Sequence, residues 1–167
     1  NGSNPSPYVS LGGYVYFYAA DVDHGGELWR TDGTPEGTTL VKDIRPGPAS
    51  SIPRWMQLVG GRIYFQADDG ATGVEMWTTD GTEAGTIRVA DINPGAGGST
   101  PTRFFDVNGA VVILASDGTH PPSLFRFEPE AVKPTVVGAQ FTRVGGKAAV
   151  VVDFTEDVSG SLAVADL

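Results

Sequence analysis

The chain has 167 residues, 40% hydrophobic and 10% aromatic, with 11 Lys plus Arg against 20 Asp plus Glu, a formal charge of −9. That length holds one good core or two small ones, and the acidic balance argues against nucleic-acid or anionic-membrane surfaces, which select basic patches. The absence of Cys excludes disulfides, zinc–thiolate sites and cysteine nucleophiles, and no apolar run approaches the roughly 18–20 residues that span a bilayer.

In chain order, residues 1–7 have no basic segment followed by an apolar one, so they read as a linker or cut end and not as a signal peptide. Asn1-Gly2-Ser3 fits the glycosylation sequon, a weak three-residue pattern. Beyond them the sequence repeats itself at an offset of 48 residues. Glu27-Leu28-Trp29-Arg30-Thr31-Asp32-Gly33-Thr34-Pro35-Glu36-Gly37-Thr38 returns as Glu75-Met76-Trp77-Thr78-Thr79-Asp80-Gly81-Thr82-Glu83-Ala84-Gly85-Thr86. Tyr16-Phe17, Asp43-Ile44 and Pro46-Gly47 return as Tyr64-Phe65, Asp91-Ile92 and Pro94-Gly95, and a worn third copy keeps Gly109, Asp117-Gly118 and Leu124-Phe125. The copies span about 4–51, 52–99 and 100–127 within a repeat array over 1–130. A fixed period of this size means one supersecondary unit copied along the chain.

The second copy predicts four strands, at 55–59, 62–67, 74–79 and 87–92. Ile63, Phe65 and Ala67 alternate with Arg62, Tyr64 and Gln66, the period of two of a strand. Gly60-Gly61, and Asn108-Gly109 in the third copy, are hairpin turns. The high Gly and Pro content argues against long helices. Four short strands per 48 residues predict an all-β, β-propeller-like array forming a partial ring, since closed propellers have about four to eight blades. Ring closure then needs further blades or other copies of the chain. Trp29, Trp77 and Phe125 share one position and are expected to pack between neighbouring blades.

The pattern Glu-Leu-Trp-x-x-Asp-Gly-Thr-x-x-Gly-Thr resembles the tandem ELWxxDGTxxGT repeats, also called hyalin-like or kelch-like, of large secreted bacterial proteins. Residues 27–38 match it fully, 75–86 match apart from Met76, and the third copy departs at Ser123. The resemblance implies a propeller or kelch-like fold in a secreted or cell-surface bacterial setting, and it carries over no catalytic residues. Residues 131–167, with Phe154-Thr155-Glu156-Asp157-Val158, resemble the first half of bacterial Ig-like domains and imply an incomplete Ig-like segment.

Asp21, Asp23, Asp68 and Asp69 lie in Gly-containing acidic loops, the kind of oxygen donors that calcium requires, although no full D-x-D-x-D-G pattern is present; turn geometry is the competing reading, and no cofactor is otherwise implied. In Asp32-Gly33-Thr34 and Asp80-Gly81-Thr82 the Asp is expected to accept an amide two residues on, the Gly to take positive φ and the Thr to cap the turn. His24 and His120 lie in loops without a Ser partner, no nucleophile elbow is present, and no enzyme is expected. Trp55, Tyr14 and Tyr18 are the candidate ligand contacts. Trp55 does not recur, its 48-residue counterparts being Pro7 and Arg103, so it serves either a ligand or the space beside Met56. Three functions follow as expectations: a non-enzymatic extracellular scaffold or adhesion module binding a glycan or protein surface, an accessory region of a secreted hydrolase, or a lectin-like oligomer closing a propeller from several chains.

Overall fold

The computed structural model describes residues 8–128, 136–144 and 147–154, and side chains over 8–128. The sequon at 1–3 and residues 155–167 of the expected Ig-like segment lie outside the described residues. Two compact units divide the chain after Pro129.

The first unit is all-β. Aromatic and β-branched runs such as Tyr14-Val15-Tyr16-Phe17-Tyr18 favour the pleated conformation, and paired left-handed residues turn the chain between strands. Sheet 1 takes β1 (Val9–Leu11), β2 (Tyr14–Asp21), β3 (Gly25–Thr31) and β4 (Thr39–Lys42) in sequential antiparallel order. Sheet 2 takes β5 (Arg54–Val59), β6 (Arg62–Asp68), β7 (Val74–Thr79) and β8 (Ile87–Ala90) in the same order. Sheet 3 has three strands, β9 (Thr102–Val107), β10 (Ala110–Ala115) and β11 (Ser123–Phe127). The hairpin residues Gly12-Gly13, Gly60-Gly61 and Asn108-Gly109 all have positive φ, as a two-residue turn with a right-handed strand twist requires.

Sheet 2 is covered on both faces. Between it and sheet 1 lie Tyr16, Leu28, Val41 and Ile44 against Met56, Ile63, Phe65, Ala67 and Trp77. Between it and sheet 3 lie Val59, Tyr64 and Met76 against Phe104, Val111, Ile113 and Ala115, with Phe125 partly buried beside them. Trp77 is only 7% exposed, whereas Trp29, on the face of sheet 1 turned away from sheet 2, is half-buried.

Strand irregularities recur at the 48-residue offset. The β3–β4 register shifts between Leu28 and Trp29, and the β7–β8 register between Met76 and Trp77. A bulge in β5 between Arg54 and Gln57 has its counterpart in β9, which shifts against β10. Each bulge contains a non-glycine left-handed residue, Trp55 at φ 59° and Arg103 at φ 55°. In the second unit β12 (Val136–Val144) pairs antiparallel with β13 (Lys147–Phe154) as a two-stranded hairpin.

Candidate functional site

The sheets are joined by linkers, and a buried acid holds each linker. Glu27 sits mid-strand on β3 and Glu75 at the same place on β7, each with no exposed surface. Glu27 Oε2 accepts the amide of Ile44 at 3.2 Å and the Ser51 hydroxyl at 2.5 Å, while Oε1 accepts the amides of Arg45 and Ser51 at 3.3 and 3.1 Å. Glu75 repeats the set with Ile92, Asn93 and Ser99, including a 2.5 Å bond from the Ser99 hydroxyl. Burial pushes the Glu27 carboxyl up, and these four donors oppose that shift. The serine carbonyls then reach the next sheet: Ser51 O accepts the Asp68 amide at 2.9 Å and Ser99 O that of Ser116 at 3.0 Å. One acid therefore fixes a linker, and the linker fixes the following sheet.

The turn after β3 is a closed hydrogen-bond set. Asp32 Oδ1 accepts the Thr34 amide and hydroxyl at 2.9 and 2.7 Å, and Thr34 Oγ1 accepts the Gly37 amide at 2.9 Å. Thr38 donates its single hydroxyl proton to Thr34 O, so in the 2.7 Å Thr31–Thr38 contact Thr31 is the donor. Thr31 in turn accepts from Gly33, whose φ is 95°. Asp80, Gly81, Thr82 and Thr86 reproduce this network after β7. A Cβ on Gly85 would stand 2.1 Å from both Asp80 carboxylate oxygens, which explains the glycine. Asp32 is lowered by its bonds from Thr34; at Asp80 burial acts upward but the Thr82 bonds and the Arg62 charge outweigh it.

Three of the four acids in the Gly-containing loops, Asp21, Asp68 and Asp69, have local partners. Asp21 Oδ1 accepts the Asp23 and His24 amides at 3.0 and 2.6 Å, and His24 Nδ1 lies 2.8 Å from Oδ2. Asp69 accepts the Ala71 and Thr72 amides and the Thr72 hydroxyl. Asp68 pairs with Arg45 at 2.6 Å and accepts the Gly70 amide. Asp23 projects at an exposed turn position. Asp117 completes the series begun by Asp21 and Asp69, 48 residues further on: it accepts the amides of Thr119 and His120, and His120 Nδ1 lies 2.8 Å away. The His24 bond lowers Asp21 and raises His24; His120 first, then its amide and that of Thr119, hold Asp117 well below the usual carboxylate range. Both histidines are thus held by a turn aspartate rather than simply solvated. Among the described residues no group of three or more His, Cys, Asp or Glu is arranged to hold a metal ion.

The three aromatic candidates do not form one site. Tyr14 packs against the core between sheets 1 and 2, with the Arg30 guanidinium 4.6 Å from its ring centre. Tyr18 stands four residues along β2, roughly 13 Å away at strand rise, and fills the space a Cβ would occupy on Gly26. Trp55 differs from both. It is 49% exposed, and its left-handed backbone sits in the β5 bulge while its neighbour Met56 takes the buried place. β5 lies beside β9, whose Arg103 and Phe105 are also exposed, and beside β1. Arg54 and Gln57 flank Trp55 as exposed polar neighbours.

The Glu–Ser clamps are not among the residues the sequence singles out, whereas Asp117 is, as the third copy of a recurring Asp-Gly. The signal of the clamps was present: an acid inside an apolar strand, and a serine 24 residues later, both recurring at 48. No protein-family profile matches the chain, and no curated protein or solved structure matches it significantly.

Proposed function

We propose that this chain is a non-enzymatic binding module of a secreted or cell-surface bacterial protein, built from propeller-type ELWxxDGTxxGT units followed by an Ig-like segment, and that Trp55 is its ligand contact. The observation that carries the reading is the state of Trp55: half-exposed, left-handed, in a bulge, and not repeated at the equivalent positions. A non-glycine residue with φ near +59° carries a backbone cost of order 1 kcal/mol, and such costs concentrate where a side chain must be aimed. The recurring acids serve linkers and turns, which leaves the non-recurring aromatic as the variable element on a constant frame. A flat, exposed indole suits the apolar face of a sugar, and exposed Arg54 and Gln57 on the same strand offer hydrogen-bond donors for hydroxyls; a glycan is therefore the ligand class we favour over a protein surface.

The test is a glycan array with the intact chain, followed by calorimetric titration of any ligand against Trp55→Ala. The reading expects binding to fall at least tenfold while the urea midpoint is unchanged. Undiminished binding by the variant overturns it; retained array signal only on immobilised proteins would move the ligand class to a protein surface.

A further inference from the structure

We infer that the outer faces of sheets 1 and 3 are complementary docking surfaces, and that a second copy of this chain is the occupant, joined head to tail. This does not rest on the glycan reading. The first observation is an unequal burial of equal positions. Ile63, Phe65 and Thr79 of sheet 2 are fully buried against sheet 1, but their counterparts 48 residues earlier, Val15, Phe17 and Thr31, are not; Val15 is 36% exposed. Cross-strand pairing of Val15 with Thr31 and of Phe17 with Trp29 puts these four on one face, the one turned away from sheet 2. It is the same docking face as in sheet 2, without a neighbour among the described residues.

The second observation is what such a face docks onto. Sheet 1 receives sheet 2 through Leu28, fully buried, and through Arg30, whose Nη1 donates to Gly81 O in the incoming turn at 2.8 Å. At the matching positions sheet 3 has Leu124 and Arg126, the same two residue types. Pairing of Leu114 with Leu124 and of Val112 with Arg126 sets an apolar outer face around them. Leu124 is 70% exposed, and among the described residues Arg126 is engaged by exposed Glu128 at 2.8 Å. Sheet 1, at the other end of the first unit, carries the matching turn, Asp32-Gly33-Thr34, with the same bonds as the turn that Arg30 grips. Sheet 3 thus retains a receiving Leu–Arg pair and sheet 1 a Trp-and-turn face to be received. Two different patches that complement each other make a heterologous contact, and the interface between sheets 1 and 2 is its template: Leu124 under Phe17 and Trp29, and Arg126 donating to Gly33 O.

The experiment is sedimentation velocity of the full chain over a concentration series, with Val15→Asp and Leu124→Asp. Both positions are exposed, so each variant should fold, and circular dichroism melting verifies this. The wild type should associate with rising concentration. Each single variant should remain monomeric over a range at least about tenfold higher, because a charge is placed in an apolar contact. An equimolar mixture should form a dimer and stop there, since Leu124 of one variant meets Val15 of the other and the two remaining faces are blocked. Arg126→Ala should weaken association without abolishing it. A wild type that stays monomeric throughout, variants that associate as well as the wild type, or a mixture that remains monomeric would each overturn the inference.

Discussion

Replacing Glu75 by Gln isolates the linker clamp. Oε2 accepts from Ile92 N and Ser99 Oγ, and Oε1 from Asn93 N and Ser99 N. The Gln side chain has one oxygen and one NH2 and must choose a side. With the oxygen in the Oε1 place, both of those backbone amides stay satisfied. The NH2 then faces Ser99 Oγ, which rotates its proton away and accepts, so among the backbone amides it is that of Ile92 that loses its partner. A buried unsatisfied donor costs about 1–3 kcal/mol, and that is the expected loss for Glu75→Gln. Met is close in size and offers no acceptor, so three backbone amides are orphaned together. At the same unit cost the loss is about 3–9 kcal/mol, comparable with the whole stability of a typical domain. Urea unfolding followed by Trp77 fluorescence measures both variants, and hydrogen exchange locates the effect, with Ser99 N–H protected in Gln and exposed in Met. Equal losses for the two variants, or a Gln variant as stable as wild type, would refute the orientation argument and with it the role given to the acid.

Two further outcomes follow from the turns. Gly85→Ala puts a methyl 2.1 Å from the Asp80 carboxylate and must displace it from Thr82; a loss of about 1–2 kcal/mol in urea unfolding is expected, as for a lost cap, and a neutral variant would contradict it. His24 is raised above 6.5 by Asp21, so its contribution to stability is complete below pH 6.5 and disappears as pH rises through the folded value. Asp21 is lowered below 3.8, so its contribution is complete above pH 3.8 and disappears as pH falls through its folded value. The pair therefore helps most between about pH 4 and 6.5. An NMR titration of the His24 ring should show a midpoint above 6.5 that drops in Asp21→Asn; an unchanged midpoint would remove the ion pair from the account.

The strands were legible because alternation and turn residues act locally. Residues 62–67 alternate in polarity, Gly60-Gly61 punctuates them, and β6 forms over Arg62–Asp68. The two faces of β6 could not be ranked from that pattern. Tyr64 reads as the polar side of the alternation yet is buried against sheet 3, because its neighbours come from residues about 50 positions downstream. Sequence separation hid the clamps as well, over 17 to 24 residues. Glu27 belongs to a short motif, but its partners Ile44, Arg45 and Ser51 lie beyond β4, and nothing within the motif distinguishes a buried acid from a solvated one. The bulge at Trp55 was equally out of reach, since a left-handed tryptophan follows from the register β5 keeps with β6 and not from any preference of its own. Tyr14 and Tyr18 were grouped with Trp55 on residue type alone, which does not record which face of β2 meets sheet 2.

A repeated sequence gives its own control for separating frame from function. Glu27 and Glu75 recur, and both are consumed by linkers; Asp21, Asp69 and Asp117 recur, and all are consumed by turns. An exposed residue at a recurring backbone geometry with a non-recurring side chain is the opposite case. Trp55 and Arg103 share a left-handed bulge, so the frame pays the conformational cost twice, yet the side chain it presents changes from indole to guanidinium. A purely structural bulge would tolerate Gly, which adopts that φ without strain, at both places. The frame is therefore constant in where it presents a side chain and variable in which one it presents, the arrangement expected of a surface that meets a ligand.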